Sequence, residues 1–483
     1  MPYDAIDGSR PAANGNGHAV STTGFDRDGL FALLTEHARP LPRYTSYPSV
    51  PHWDRAVGEG DYLEALDDVA ARPQGACSVY VHLPFCAKRC FYCGCNARTA
   101  RNGEMIDRYL DHVEREVTRV VERIGRGRPV TQLHWGGGTP NFLSDAQIVR
   151  LFEVLTAAFR LDDDAEVSLE MDPRVATPHQ PRLLRDLGFN RLSMGVQDFD
   201  PRVQAAIGRI QPESDTVSLL GWARDAGFDA VNFDLVYGLP YQTPESFGRT
   251  LRRVTELRPD RVATFSYAHL PDVRKIQRGV DATGLPDART KLTLLLDAVD
   301  VLGDAGYAWI GFDHFAAVDD ELAAAARERR LLRNFMGYTT RAAPDLLAFG
   351  LSAIGHLGGR FAQNDSTLAG YQGGLDSDRF PVVRGHRLSA DDTMRASVIQ
   401  HLMCNLELRE DLTTPTFGAP LSTLIPDAED RLGPCVDAGF LDRSAAGWDL
   451  TTTGRFFLRN VAAALDPHLT TAGPRRATFS NSV

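Results

Sequence analysis

Between about residues 76 and 310, short runs rich in β-branched and aromatic residues alternate with longer amphipathic stretches. The short runs are 78–83, 131–135, 166–171, 191–196, 230–236 and 261–267. The longer ones include 105–124, 145–159, 215–226 and 244–256, whose apolar positions recur every three to four residues. The first pattern predicts strands and the second predicts helices. Six strand–helix alternations in succession predict parallel strands joined by right-handed helical crossovers. The fold class is therefore read as α/β, an open or partial six-fold β/α barrel. Its working face is expected at the carboxyl ends of the strands.

After about residue 389 the pattern changes. Residues 391–408 predict one long helix. Residues 428–441, a strand-like pair around 448–450 and residues 452–465 predict a small helical domain with a wing. The chain divides accordingly into a leader (1–25), an N-terminal extension (26–75), a barrel with its covering segment (76–387), a C-terminal helical, winged-helix-like domain (388–470) and a tail (471–483). The leader is rich in Gly, Asn, Ala and Ser and lacks an apolar centre, which predicts disorder rather than a secretory signal. No run of 18 apolar residues occurs, so no membrane span and a cytoplasmic location are expected.

Composition adds two points. A net charge of −11 speaks against a nucleic-acid partner, which needs a basic surface. Only three of the 52 basic residues are lysines (Lys88, Lys275 and Lys291), a bias expected of a GC-rich genome.

The chemistry begins with cysteine. Four of seven cysteines fall between Cys86 and Cys95, a poor layout for disulfides and a common one for metal binding. The stretch His82-Leu-Pro-Phe-Cys86-Ala-Lys-Arg-Cys90-Phe-Tyr-Cys93-Gly-Cys95-Asn96 directly follows the first predicted strand. Thiolates at i, i+4 and i+7 suit one iron–sulfur cube with an open iron. A structural zinc site wants four ligands closing a tetrahedron, and ferredoxin-type clusters use four cysteines. Cys95 lies two residues beyond Cys93 and is read as a non-ligand, with a fourth-ligand role the alternative. Cys77, Cys404 and Cys435 sit in apolar surroundings and are read as packing residues.

One β/α unit later comes Gly136-Gly137-Gly138-Thr139-Pro140, where missing side chains let a ligand approach the backbone. The third strand ends in Glu170-Met-Asp172. Glu170 is read as a ligand contact, and Asp172 equally suits a helix cap. The next two strands bring Gln197 and Asp234, and Arg209 follows on the helix after the fourth. Together they offer an amide, a guanidinium and a carboxylate for a zwitterionic nucleoside.

These motifs, with Arg43-Tyr-Thr-Ser-Tyr-Pro48, Gly195-Val-Gln-Asp-Phe199, Asp234-Leu-Val-Tyr-Gly-Leu-Pro240 and Asn334-Phe-Met-Gly-Tyr-Thr-Thr340, resemble the HemN family within the radical S-adenosylmethionine (SAM) enzymes. That family comprises the oxygen-independent coproporphyrinogen III oxidases, and the likeness runs from about Pro42 to Leu469. The Cys-Gly-Cys-Asn ending separates the chain from related haem chaperones, which typically carry Phe at the position of Cys95. The resemblance implies a partial (β/α)6 radical-SAM barrel and a 4Fe–4S cluster on Cys86, Cys90 and Cys93. It also implies two SAM molecules. By motif match the first would contact Tyr80, Gly137, Glu170 and Ile354. The second would contact Tyr92, Gly138, Thr139, Gln197, Arg209, Asp234 and Ala268. A reduced cluster would cleave SAM to methionine and a 5′-deoxyadenosyl radical. The implied partners are a porphyrinogen substrate and a reducing protein such as flavodoxin or ferredoxin, acting on a monomer.

Two departures stand out. Met336 occupies a position where porphyrinogen-processing members carry Gln, and Phe312 one where Met is usual. They keep a second reading open, a HemN-like methyltransferase or cyclopropane-forming enzyme that spends one SAM as carbon donor. A third, a haem carrier without SAM turnover, is disfavoured by the intact SAM-contact motifs.

Overall fold

A computed structural model of the chain describes residues 26–100, 102–471 and 479–481. The leader lies outside the described residues, as does most of the tail. The six predicted strands form β1 (Cys77–Leu83), β2 (Arg128–Gly137), β3 (Phe159–Met171), β4 (Arg191–Gln197), β5 (Ala230–Tyr237) and β6 (Arg261–Ser266). They pair in parallel in that order, with helices such as Gly103–Ile124, Asp145–Ala158, Glu213–Ala226 and Pro244–Leu257 as the crossovers.

The sheet continues past both ends of this set. Beyond β6 come β7 (Tyr307–Ile310) and β8 (His314–Ala317): β8 pairs antiparallel to β6, and β7 antiparallel to β8. On the other side β9 (Asp345–Phe349) pairs parallel to β1, and β10 (Ile354–Leu357), β11 (Arg360–Asn364) and β12 (Val382–Arg387) follow antiparallel. The result is one 12-stranded sheet in the order β12-β11-β10-β9-β1-β2-β3-β4-β5-β6-β8-β7. It is a parallel centre with antiparallel wings.

Charged side chains tie the amino ends of the central strands together. Gln132 donates to Glu166 at 3.0 Å, and Arg191 bridges Glu166 (3.3 Å) and Glu321 (2.6 Å). Arg261 pairs with Asp320 at 2.9 Å. Asn334 joins this network, its Nδ2 donating to Gln132 Oε1 at 2.8 Å while its Oδ1 accepts from Met336 N at 2.8 Å. The short hairpin of Leu332–Asn334 and Gly337–Thr339 is thereby pinned, and Met336 sits at its turn.

The C-terminal part starts with helix Ala390–Asn405, capped by Ser389, whose hydroxyl accepts from Asp392 N. Three short strands then form a wing: β13 (Glu407–Arg409), β14 (Leu441–Ser444) and β15 (Gly447–Leu450). The stretch predicted as one helix over 452–465 is two, Thr452–Phe456 and Leu458–Ala464, broken at Phe457. Cys77, Cys404 and Cys435 are buried. No helix among the described residues is long and apolar enough to cross a membrane.

One buried carboxyl titrates where it changes stability. Glu116, on helix Gly103–Ile124, is 1% exposed. It accepts hydrogen bonds from Gly350 N (2.8 Å), Tyr371 OH (2.7 Å) and Asn364 Nδ2 (2.6 Å). Burial pushes its pKa up to about 7, against the pull of these donors. A carboxyl whose pKa is higher in the folded chain stabilises the fold at low pH, and the contribution is lost as pH rises through the folded value. From about pH 4.5 to 7 this is expected to cost on the order of 3 kcal/mol. Urea melts across that window should show a clearly shallower slope in Glu116→Gln than in the wild type, other raised carboxyls supplying the remainder. An undiminished slope in the variant assigns the titration to another group.

Candidate functional site

At the carboxyl ends of β2 to β6 lies an open cavity of about 450 Å³. Cys86, Cys90, Cys93 and Cys95 form one wall, and Gly137, Gly138 and Thr139 form the floor beside them. Glu170, Asp172, Gln197, Arg209 and Asp234 come from the strand ends, and Tyr92 and Ala268 complete the lining. Of the site residues read from the sequence, only Tyr80 and Ile354 stand outside it. Tyr80 stacks on His134 (centroids 6.0 Å apart) and its hydroxyl meets His82 Nδ1 at 3.0 Å. Ile354 opens β10, opposite Gln363.

The cysteine loop is held by backbone at several points. Arg98 N donates to Pro84 O (2.6 Å), Phe91 N to Ile207 O (2.8 Å), and Gln277 Nε2 to Tyr92 O (2.9 Å). The glycine turn passes directly beneath it. Gly138 N donates to Leu83 O at 2.8 Å, and a Cβ on Gly138 would meet Pro84 C at 2.7 Å and Phe85 N at 2.8 Å. Both neighbours are backbone and cannot rotate away. Gly137 has φ +117°, and a Cβ there would enter the His82 ring at 2.6 Å. Glycine is required at both positions.

The thiols differ in surroundings. Cys93 is brought down to about 6, first by the Cys95 thiol and further by the Cys95 N–H, which donates to its sulfur at 3.4 Å. Burial pushes Cys86 up to about 11. Cys90 faces two guanidinium groups, Arg209 Nη1 at 3.7 Å and Arg174 Nη2 at 3.8 Å.

Those arginines are organised by Asp172. It receives Arg174 Nη2 (2.6 Å) and Nε (3.0 Å), and Arg209 Nη1 (3.2 Å) and Nη2 (3.1 Å). It also caps the turn Pro173–Val175 by accepting from Arg174 N, so the capping role and a larger one coexist. Burial acts to raise the Asp172 pKa, but the two arginines hold it below the carboxylate range. Arg209 lies past helix Pro201–Ala206 rather than on it. Its remaining donors reach Gln211 Oε1 (3.0 Å) and Gly195 O (2.7 Å). The guanidinium read as a ligand contact is thus fully engaged by protein.

The other two carboxylates are less encumbered. Glu170 accepts from Gly137 N at 3.0 Å and lies 3.9 Å from His134 Nε2, with its side chain half-exposed to the cavity. Burial opposes its ionisation, yet the His134 pairing and the Gly137 N–H leave its pKa lowered. Asp234 receives Ser193 Oγ (2.9 Å) and Asn232 Nδ2 (2.8 Å), and burial followed by repulsion from Glu170 pushes it up to about 6. Sequence reasoning gave no role to His82, His134 or Arg174. The signal was present in the last case, an arginine two residues after the strand-end acid.

Residues 80–254 match the Radical SAM superfamily. The chain is 43% identical over 442 residues to the oxygen-independent coproporphyrinogen III oxidase of Salmonella typhimurium, covering 92% of this chain and 96% of that one. The Synechocystis protein of the same name is 40% identical, with 90% and 94% covered. The solved structure of the Escherichia coli enzyme, described as a radical SAM enzyme, superposes with a TM-score of 0.85 at 42% identity, covering 91% of this chain and 98% of that one. The chain belongs to the oxygen-independent coproporphyrinogen III oxidase family. Membership in this radical SAM family brings a 4Fe–4S cluster and SAM as cofactors, and the site suits both. The three cysteines and Glu170 line the same cavity, and Gly137 N donates to Glu170 there.

Proposed function

We propose that this protein is an oxygen-independent coproporphyrinogen III oxidase. It would convert two propionate side chains to vinyls, giving protoporphyrinogen IX. Each conversion removes one hydrogen atom from the propionate β-carbon, one CO2 and one electron. The near full-length likeness to enzymes of this name, C-terminal helices included, supports the reading most directly.

Cys86, Cys90 and Cys93 would hold the cluster and leave one iron open. When bound, cluster and SAM supply the one-electron cleavage that starts hydrogen abstraction. The chain's own residues position and exclude. Glu170 presents a carboxylate to an ammonium group beside the Gly137 N–H, and Gly138 allows contact that any side chain would block. Asp172, Arg174 and Arg209 fix the Cys90 side of the loop through a closed set of charges. A second SAM would be met by Tyr92, Gly138, Thr139, Gln197, Arg209, Asp234 and Ala268, with Tyr80 and Ile354 flanking the first. We further read residues 76–387 as the barrel with its covering segment, 388–470 as a C-terminal helical domain, and the protein as a cytoplasmic monomer served by a small reducing protein.

An anaerobic turnover tests this. The chain is reconstituted with iron and sulfide, reduced, and given SAM and coproporphyrinogen III, with products read by mass spectrometry. Stepwise loss of two CO2 alongside 5′-deoxyadenosine is expected, with Met336 a tolerated variation. SAM cleavage with the porphyrinogen untouched rejects the assignment, and S-adenosylhomocysteine with another acceptor would indicate a methylating enzyme.

A further inference from the structure

The cavity carries positive charge that the roles above do not use. Arg43 lines it beside Phe265, Ser266 and Tyr267. Among the described residues Arg43 makes no ion pair, and its one side-chain hydrogen bond runs from Nη2 to Ser266 O at 2.6 Å. Three more cations gather around it, and none has a carboxylate partner among the described residues. Lys291 Nζ donates to Tyr267 O at 3.0 Å, and Arg333 Nη1 to Arg43 O at 3.2 Å. Arg459, 1% exposed, spends its donors on oxygens of Pro42, Leu41, Ser480 and Asn481. The carboxylate of this neighbourhood, Asp313, is held by His314 at 2.7 Å.

Three of these four cations, Arg43, Arg333 and Arg459, feel the one carboxylate, which His314 already engages. Desolvated like charges cost free energy unless counter-charge is supplied. The strain registers on Lys291, brought down to about 8 by burial and then by Arg43 and Arg459. Arg459 is consumed by oxygens, and Arg333 lies over the Tyr338 ring at 5.1 Å. Of these four, Arg43 is the one that lines the cavity, with donors to spare among the described residues.

We propose that Arg43, backed by Lys291, receives a propionate carboxylate of the substrate and so fixes which edge of the ring faces the cluster wall. The proposal rests on the porphyrinogen reading. The chemistry recognised is a carboxylate, which SAM also carries, so the test separates the two. Reconstituted holoenzyme is titrated anaerobically, by fluorescence, with coproporphyrin III (the stable oxidised tetracarboxylate) and with its tetramethyl ester. SAM affinity is measured in parallel. Arg43→Gln keeps an amide donor for Ser266 O and removes the charge.

The expected result is a ten- to hundredfold weaker grip on coproporphyrin III, the loss typical of a charged hydrogen bond. The ester should bind wild type about as weakly, and SAM affinity should hold. Undiminished porphyrin binding by folded Arg43→Gln overturns the proposal. So does a loss confined to SAM. Should Arg43→Gln not fold, Lys291→Met and the ester comparison carry the same decision. Wild type that ignores coproporphyrin III altogether rejects the porphyrinogen reading itself, and the carboxylate site with it.

Discussion

Replacing Cys86, Cys90 or Cys93 singly by Ser is expected to abolish the iron–sulfur cluster and turnover together, while Cys95→Ala keeps both. All four thiols line the same wall, so proximity alone does not separate them. Sequence spacing does: Cys86, Cys90 and Cys93 stand at i, i+4 and i+7, with Cys95 only two residues further on. The Cys95 backbone N–H donates to the Cys93 sulfur at 3.4 Å, which makes residue 95 a support for a ligand. Cys90 faces two guanidinium groups that favour a thiolate, and Cys93 is brought down to about 6. A hydroxyl at any of the three positions is a much poorer ligand for iron, and two remaining thiolates hold the cube on one edge only. The check is iron and sulfide content per chain with the visible charge-transfer absorption, followed by SAM cleavage. A Cys95→Ala protein that loses its iron would make residue 95 a fourth ligand, and the open-iron assignment would fail with it.

Much of this site was legible in the sequence because it depends on short-range spacing. The i, i+4, i+7 cysteines, the three glycines and the strand-end acids each occupy one turn or one strand end, where chain proximity fixes what side chains can meet. What was illegible depends on long-range pairing. Strand β9 is a five-residue buried run, Asp345–Phe349, and such a run shows no period to read. Its place beside β1 is set by contacts across more than 260 positions, such as Ser78 Oγ accepting from Ala343 N. Strand β3 begins at Phe159, although 162–164 are three aspartates that look like loop. Parallel pairing with Arg128 and Pro129 carries it there. Arg209 is legible as a candidate ligand contact, but its pairing with Asp172, 37 residues earlier, leaves no local sign. Arg43 stands out in the sequence only as part of a motif, since its exposure to the cavity arises from packing against β6.

Asp172→Asn should be the most damaging change away from the cysteines. The side chain is 8% exposed and shared by two guanidinium groups, both aimed at Cys90. An amide of the same shape keeps one oxygen and loses the charge. It also turns N–H donors toward arginines that have only donors to offer. Removing one member of a buried charge set costs about 3–5 kcal/mol, because the cations left behind cannot return to water. The loss should depend on the state of Cys90. A cluster-bound Cys90 is a thiolate and supplies some of the missing negative charge, so the holoenzyme should lose less stability than the cluster-free chain. Urea melts of both forms, wild type and variant, decide this through the difference between the two losses. Equal losses would mean that the charge set acts independently of Cys90, and no loss in either form would mean that Asp172 acts by capping the turn Pro173–Val175 alone, which Asn does as well. A larger loss in the cluster-free form makes the Asp172–Arg174–Arg209 set an electrostatic clamp on the cluster loop, one that holds Cys90 in place before iron arrives.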